Sequence, residues 1–270
     1  MNPNWSYHLT NLPNAGSVAG PDPSDMSRRA NWPVHHRMPF HSIEPRRLYR
    51  QIADQIRGLI KSGEFPAGSR LPPERDLARQ LGVSRPSVRE ALIALEVEGM
   101  VDVRIGSGIY VLAGTAPHVA NGLDATAGPF ELLRARYVIE SECAALAAKS
   151  AKKSHVHAIE EALSEMEREM VDARQPLPAD RLFHLRVAEA TGNGALVAVV
   201  KMLWEERMGP LYKQLEHHYD APELWHAAIA EHRGVLKAIV ARDSGGARTM
   251  MQRHLNQAYK RFSKGWDTLH

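Results

Sequence analysis

The stretch from residue 71 to 92, LPPERDLARQLGVSRPSVREAL, constrains the fold more than any other part of the chain. Across Glu74 to Leu81, the residues Leu77, Ala78 and Leu81 fall on one side, the spacing of a short helix with one buried stripe. Gly82 follows, and glycine readily adopts the left-handed conformation that closes a helix and opens a tight turn. Val83 is an apolar plug in that turn. Ser84 is placed to cap a second helix, whose first turn tolerates Pro86. The second helix carries Val88, Ala91, Leu92 and Leu95 on its apolar stripe. Arg85 and Arg89 are i,i+4 neighbours expected to point together, away from that stripe. Two helices meeting at a glycine turn form a helix-turn-helix. Arginines beside Ser84 and Ser87 at the start of the second helix suit phosphate clamping and base reading. Arginine donates two parallel hydrogen bonds to guanine, and a recognition helix enters the major groove N-terminus first. A surface helical hairpin with solvated arginines fits this stretch taken alone equally well.

Residues 101–112, VDVRIGSGIYVL, count against that alternative. Val101, Val103 and Ile105 alternate with polar neighbours, as do Ile109 and Val111. Gly106-Ser107-Gly108 lies between them, so the stretch predicts a β-hairpin with a flexible tip. A helix-turn-helix followed at once by a hairpin is a winged helix. Arg104 and Gly106 then reach the minor groove or the backbone beside the recognition helix.

Charge supports this placement modestly. Residues 46–104 hold 11 Lys+Arg against 8 Asp+Glu, whereas residues 107–270 hold 20 of each, so the excess sits on the segment that would meet phosphate. The single cysteine, Cys143, excludes an intramolecular disulfide and fits a reducing compartment. No apolar run approaches the ~18–20 residues a membrane span requires, and the N-terminus lacks a signal-peptide core, so a cytoplasmic protein without membrane contact is expected. Residues 1–42 are rich in Asn, Pro, Ser and Gly and predict a disordered tail.

The expected order is a helix over 47–62 with Leu48, Ile52, Ile56, Leu59 and Ile60 on its stripe, then the helix-turn-helix and wing, giving a winged-helix domain over 43–112. Residues 113–128 are small and turn-rich and read as a linker. Over 129–265 the pattern is helical throughout, with helices near 129–150, 154–173, 178–191, 194–217, 222–242 and 244–264. The fold class is mainly α: an N-terminal winged helix-turn-helix plus a C-terminal all-α bundle able to hold a ligand. Met170, Met202, Met208, Met250 and Met251 read as core. His217, His218 and His226 read as surface residues.

Four residues of the bundle form a candidate metal site. Asp180 and His184 are i,i+4 on one helix. His232 lies 11 residues before the turn at 243–246 and His254 8 after it, about 16 and 12 Å along antiparallel helices at ~1.5 Å per residue. The two imidazoles thus fall near one level. Three histidines and an aspartate suit a divalent ion such as zinc, nickel or manganese. Spacing alone leaves open that each is an ordinary hydrogen-bonded histidine.

Residues 71–111 as a block, with their LPPER start, SR-x-S-x-RE helix and G-S-G wing, resemble the winged-helix domain of GntR-type bacterial transcription regulators. The resemblance implies DNA contacts at Arg75, Arg85, Arg89 and the wing glycines, with Ser84 and Ser87 on phosphate. DRLFHLRVAEATGN, EHRGVLKAI and MQRHL resemble the ligand domain of FadR-type members, in which the matching Asp and three His bind a metal. In that subfamily an arginine at the R-x-x-x-E position faces the effector pocket, here Arg136 with Glu140. A plain i,i+4 ion pair is the alternative for these two. Asn193, which closes the second stretch, is counted with them as an effector contact. EPRRLYRQIADQIR and EVEGMVDVRIGSGIYV resemble the hexuronate-responsive branch. The expectation is a homodimeric regulator, with repressor preferred, of a palindromic double-stranded DNA operator, responding to a small carboxylate effector of the sugar-acid class. Rival readings are a response to a short hydroxy or dicarboxylic acid such as lactate, a metal-dependent hydrolase, and an architectural DNA-binding protein without effector.

Overall fold

The computed structural model describes residues 47–113, 127–172, 175–219 and 222–264. The expected tail and residues 114–126 of the expected linker lie outside the described residues. The element order is α1 (Leu48–Lys61), α2 (Glu74–Leu81), α3 (Arg85–Val97), β1 (Val101–Arg104), β2 (Gly108–Val111), α4 (Pro129–Ser150), α5 (Lys153–Val171), α6 (Leu177–Glu189), α7 (Gly194–Arg207), α8 (Pro210–His217), α9 (Pro222–Val240) and α10 (Ser244–Ser263).

The helix-turn-helix forms by the local chemistry its sequence announces. Gly82 closes α2 at φ 66°, and the Ser84 side chain accepts from the Ser87 amide at 3.3 Å. Strands β1 and β2 pair antiparallel, Val101 opposite Val111 and Val103 opposite Ile109, with Gly106 at positive φ in the turn. A third segment joins them: the Leu71 amide donates to Ile109 and the Val111 amide to Ser69.

On α1 the buried stripe is Tyr49, Ile52, Ala53 and Ile56, while Leu48 and Leu59 are exposed. The i,i+3,i+4 row through Ile52 and Ile56 runs over Tyr49 and Ala53, so the expected stripe was rotated toward solvent at both ends. Helix α3 differs more. Beyond Val88, Ala91, Leu92 and Leu95 it also buries Arg89, Glu90, Ile93 and Ala94. It is covered on a second side, because α4 and α8 pack against it.

The bundle is built around α4, which packs on α6, α7, α9 and α10. Its buried Cys143, Ala144, Ala145, Ala147 and Ala148 are small enough to let neighbouring helices approach closely. The expected single helix over 194–217 is two helices, because Pro210 lacks an amide and opens α8 after Gly209. The turn between α9 and α10 is centred on Arg242 at φ 59°, and Gly245 and Gly246 lie in the first turn of α10, capped by Asp243. Met251 is in the core and Met170 and Met250 pack against it, but Met202 and Met208 are exposed on the outer face of α7 and at its end.

Candidate metal centre and effector cavity

Asp180, Phe183, His184 and Val187 occupy the inward face of α6, at the spacing of an apolar stripe. His232 on α9 and His254 on α10 likewise replace core residues on their stripes, between Ile229 and Val235 and between Met251 and Leu255. All four candidate ligands are buried, and one ligand atom from each lies within 4.8 Å of all the others. His184 Nε2 and His232 Nε2 are 3.1 Å apart, and Asp180 Oδ1 lies 3.1 Å from His232 Nε2 and 3.6 Å from His184 Nε2. Asp180 Oδ1 and His232 Nδ1 are buried without a hydrogen-bond partner. Lone pairs converging this closely, with a carboxylate oxygen left over, fit a shared cation at the ~2.0–2.2 Å distances of nitrogen and carboxylate ligands.

The electrostatics agree with that fit. Burial, together with the charges of His232 and His184, holds His254 well below the usual histidine value, and burial also lowers His232. A metal ligand must be the neutral imidazole. Burial opposes ionisation of Asp180, but the imidazoles of His184 and His232 outweigh it and hold its carboxyl well below its usual range. Burial also lowers His184, yet Glu140 and Asp180 lift it above its ordinary value. Those acidic groups favour a cation at this position as they favour a proton. Glu140 contacts His184 Nδ1 and Glu231 pairs with His254 Nδ1 at 2.9 Å, which leaves both Nε2 atoms for the site. Glu231 has no separate signal in the sequence beyond its place before His232.

Asp180 and His254 form part of the wall of a cavity of about 360 Å³, with Arg136, Arg207, Tyr212 and Phe262 among its other lining residues. The sequence reading of Arg136 and Glu140 is revised in part. Arg136 does line the cavity, but its Nε donates to Glu140 at 2.7 Å with both side chains buried. Glu140 is not in the cavity wall and supports His184 from behind. Asn193 is not an effector contact here: it is exposed, outside the cavity wall, and its Oδ1 accepts from the Ala195 amide to cap α7. Arg207 and Trp204, absent from the sequence reading, are buried beside the site, with the Arg136 and Arg207 guanidinium carbons 4.2 and 4.6 Å from the Trp204 ring centroid. His217 lines the cavity, and His218 is no surface residue: it bonds Glu96 of α3 at 2.7 Å.

The candidate DNA contacts divide into two groups. Arg75, Arg104 and the wing tip at Gly106 are exposed, and Ser84 and Ser87 are tied to each other through their hydroxyls. Arg85 is about 40% exposed and donates to Glu74 at 3.0 Å. Arg89 departs from the expected exposed face. It is fully buried, donates to Glu74 at 2.6 and 3.0 Å, and donates through Nη1 to the Phe262 carbonyl at the end of α10. The two arginines do point together, as their spacing requires, but toward a buried carboxylate.

Comparison with known proteins follows the same division. Residues 48–111 match the model for bacterial regulatory proteins of the gntR family, and residues 131–257 match the FCD domain. The chain is 38% identical over 222 residues to the Uxu operon transcriptional regulator of Escherichia coli K12, covering 80% of this chain and 86% of that one. It is 40% identical over 219 residues to the Exu regulon transcriptional regulator of the same strain, covering 78% and 83%. It is 33% identical over 234 residues to the Uxu operon regulator of Haemophilus influenzae Rd, covering 86% and 88%.

Proposed function

Because this chain belongs to the GntR family of bacterial transcription regulators, with an FCD domain behind its winged helix, we propose that it represses its operator until a sugar acid binds beside a divalent metal in the bundle. Membership of a family of regulators sets aside the hydrolase reading. The observation that carries the proposal is the convergence of Asp180, His184, His232 and His254 within 4.8 Å, on a cavity also lined by arginine. Zinc, nickel or manganese suits three imidazoles and one carboxylate. Such an ion, when bound, offers a Lewis-acidic position to a carboxylate and an adjacent hydroxyl. Resemblance to the uxu and exu regulators supports a hexuronate or aldonate.

The remaining work belongs to the chain's own residues. Glu140 and Glu231 orient the imidazoles, and Trp204 and Tyr212 give the cavity a rigid, largely dry wall. Arg85, Arg75, Arg104 and the wing tip at Gly106 meet DNA, Ser84 and Ser87 approach phosphate, and Arg89 joins them once released from Phe262. One winged helix reads only a few base pairs, so a homodimer on a palindromic operator is the working assembly. No helix among the described residues is long and apolar enough to cross a membrane.

Titrating galacturonate, glucuronate, gluconate and lactate into the protein–operator complex tests the reading. Release by a sugar acid is expected. Release by lactate alone, or by none of the four, removes the sugar-acid assignment.

A further inference from the structure

The cavity holds two buried arginines, and they are not equivalent. Arg136 is committed: its partner Glu140 is 2.7 Å away, is itself buried, and also contacts His184. Charge on that guanidinium is neutralised within one helix. Arg207, at the C-terminal end of α7, is held differently. Only Nη2 is engaged, by Glu216 at 2.6 Å, with Asp180 Oδ2 at 3.7 Å. Its Nε and Nη1 are buried and have no hydrogen-bond partner. Its side chain is only 6% exposed, and its guanidinium carbon lies 4.6 Å from the centroid of Trp204 and 5.0 Å from that of Tyr212. Leaving two buried donors of a cation unmade costs several kcal/mol in general, and proteins retain such groups where a ligand completes them.

We propose that Arg207 is the residue that recognises the effector's carboxylate, with Nε and Nη1 as the donors, and that Arg136 positions Glu140 and the metal ligands instead. This rests on the proposed carboxylate effector and names its anchor. Three features fit a carboxylate and no other common ligand group. A guanidinium fork matches two carboxylate oxygens in one plane. Stacking against Trp204 and Tyr212 fixes that plane before the ligand arrives. Asp180 beside Nη2 puts the fork next to the candidate metal ligands, so one carboxylate placed there faces Arg207 and the metal centre together. The Glu216 partner supplies negative charge in the ligand's absence, and α8, which carries it, also packs against α3.

The test is a calorimetric titration of metal-loaded full-length protein with galacturonate, glucuronate, gluconate and lactate. The acid binding most tightly is then compared with its neutral primary amide. The wild type is expected to prefer acid over amide at least tenfold. Arg207→Met should bring that ratio close to one, with metal content by elemental analysis and near-ultraviolet circular dichroism unchanged. Arg136→Met should keep the ratio while lowering metal content. If Arg207→Met does not fold, Arg207→Lys decides, because a single ammonium cannot reproduce the fork, and the ratio should fall at least several-fold. A wild-type ratio in either Arg207 variant overturns the assignment while leaving the proposed function standing. Failure of the wild type to bind any of the four acids overturns both.

Discussion

Glu90 sits on α3 where the winged helix meets the bundle, and its carboxylate accepts from the Phe130 amide at 2.7 Å in the first turn of α4. Burial raises its pKa from an ordinary 4.5 to about 7, against the opposing pull of the Phe130 and Glu131 amides and the charge of Arg134. The folded chain therefore holds a proton on Glu90 at pH values where the unfolded chain has lost it. Between pH 4.5 and about 7 the folded state binds more protons, so stability falls as pH rises through that window and levels off above it. At about 1.4 kcal/mol per pH unit the full loss is about 3 kcal/mol. Glu90→Gln removes the ionisation but keeps an oxygen for the Phe130 amide. The variant should match the wild type near pH 4.5 and exceed it by up to about 3 kcal/mol at pH 8. Urea unfolding of both proteins across that range gives the difference curve directly. A flat difference curve would show that Glu90 is not held protonated at this contact, and the argument from burial would fail.

Other outcomes follow from the same geometry. His232→Ala should lose the bound divalent ion in elemental analysis; full occupancy in that variant removes His232 from the ligand set. Chelation of metal-loaded protein should lower the apparent stability by about 2–3 kcal/mol where free metal had stood near a hundred times its dissociation constant, read by thermal unfolding. Arg85→Ala should weaken specific operator binding by roughly tenfold to a hundredfold in gel shifts, with little change in folding, because Arg89 still pairs Glu74. Arg89→Ala should instead destabilise the fold by about 3–5 kcal/mol in chemical denaturation, since the variant strips a buried carboxylate of its buried partner.

Much of the architecture was legible because local chemistry writes it. Gly82, the Ser84 cap and the alternation of Val101, Val103, Ile109 and Val111 each act within a few residues, and each forms as read. The four candidate ligands were legible for a related reason: polar residues at core spacing on three helices, placed at one level by a short turn. What was not legible depends on packing between distant segments. Nothing near Arg89 in sequence says that α10 ends beside it. Arg207 and Trp204 sit three residues apart on α7, a spacing shared by countless solvated pairs, and only the approach of α4 and α8 buries them. Asn193 shows the opposite error. A residue grouped with effector contacts by resemblance is occupied by helix capping, a purely local task.

The Phe262 carbonyl that accepts from Arg89 belongs to a residue that also lines the cavity. A guanidinium committed to that carbonyl is withheld from DNA, so the conformer described here and the operator-bound conformer draw on the same group. They are alternative states of one equilibrium, and the cavity wall is part of what distinguishes them. A ligand that fits the cavity only with Phe262 in place stabilises the withheld state without touching DNA. By reciprocity, the factor by which it weakens the operator is the factor by which the operator weakens it, commonly about 5- to 150-fold. Effector affinity measured on free protein and on the operator complex should therefore differ by the same ratio as operator affinity measured with and without effector.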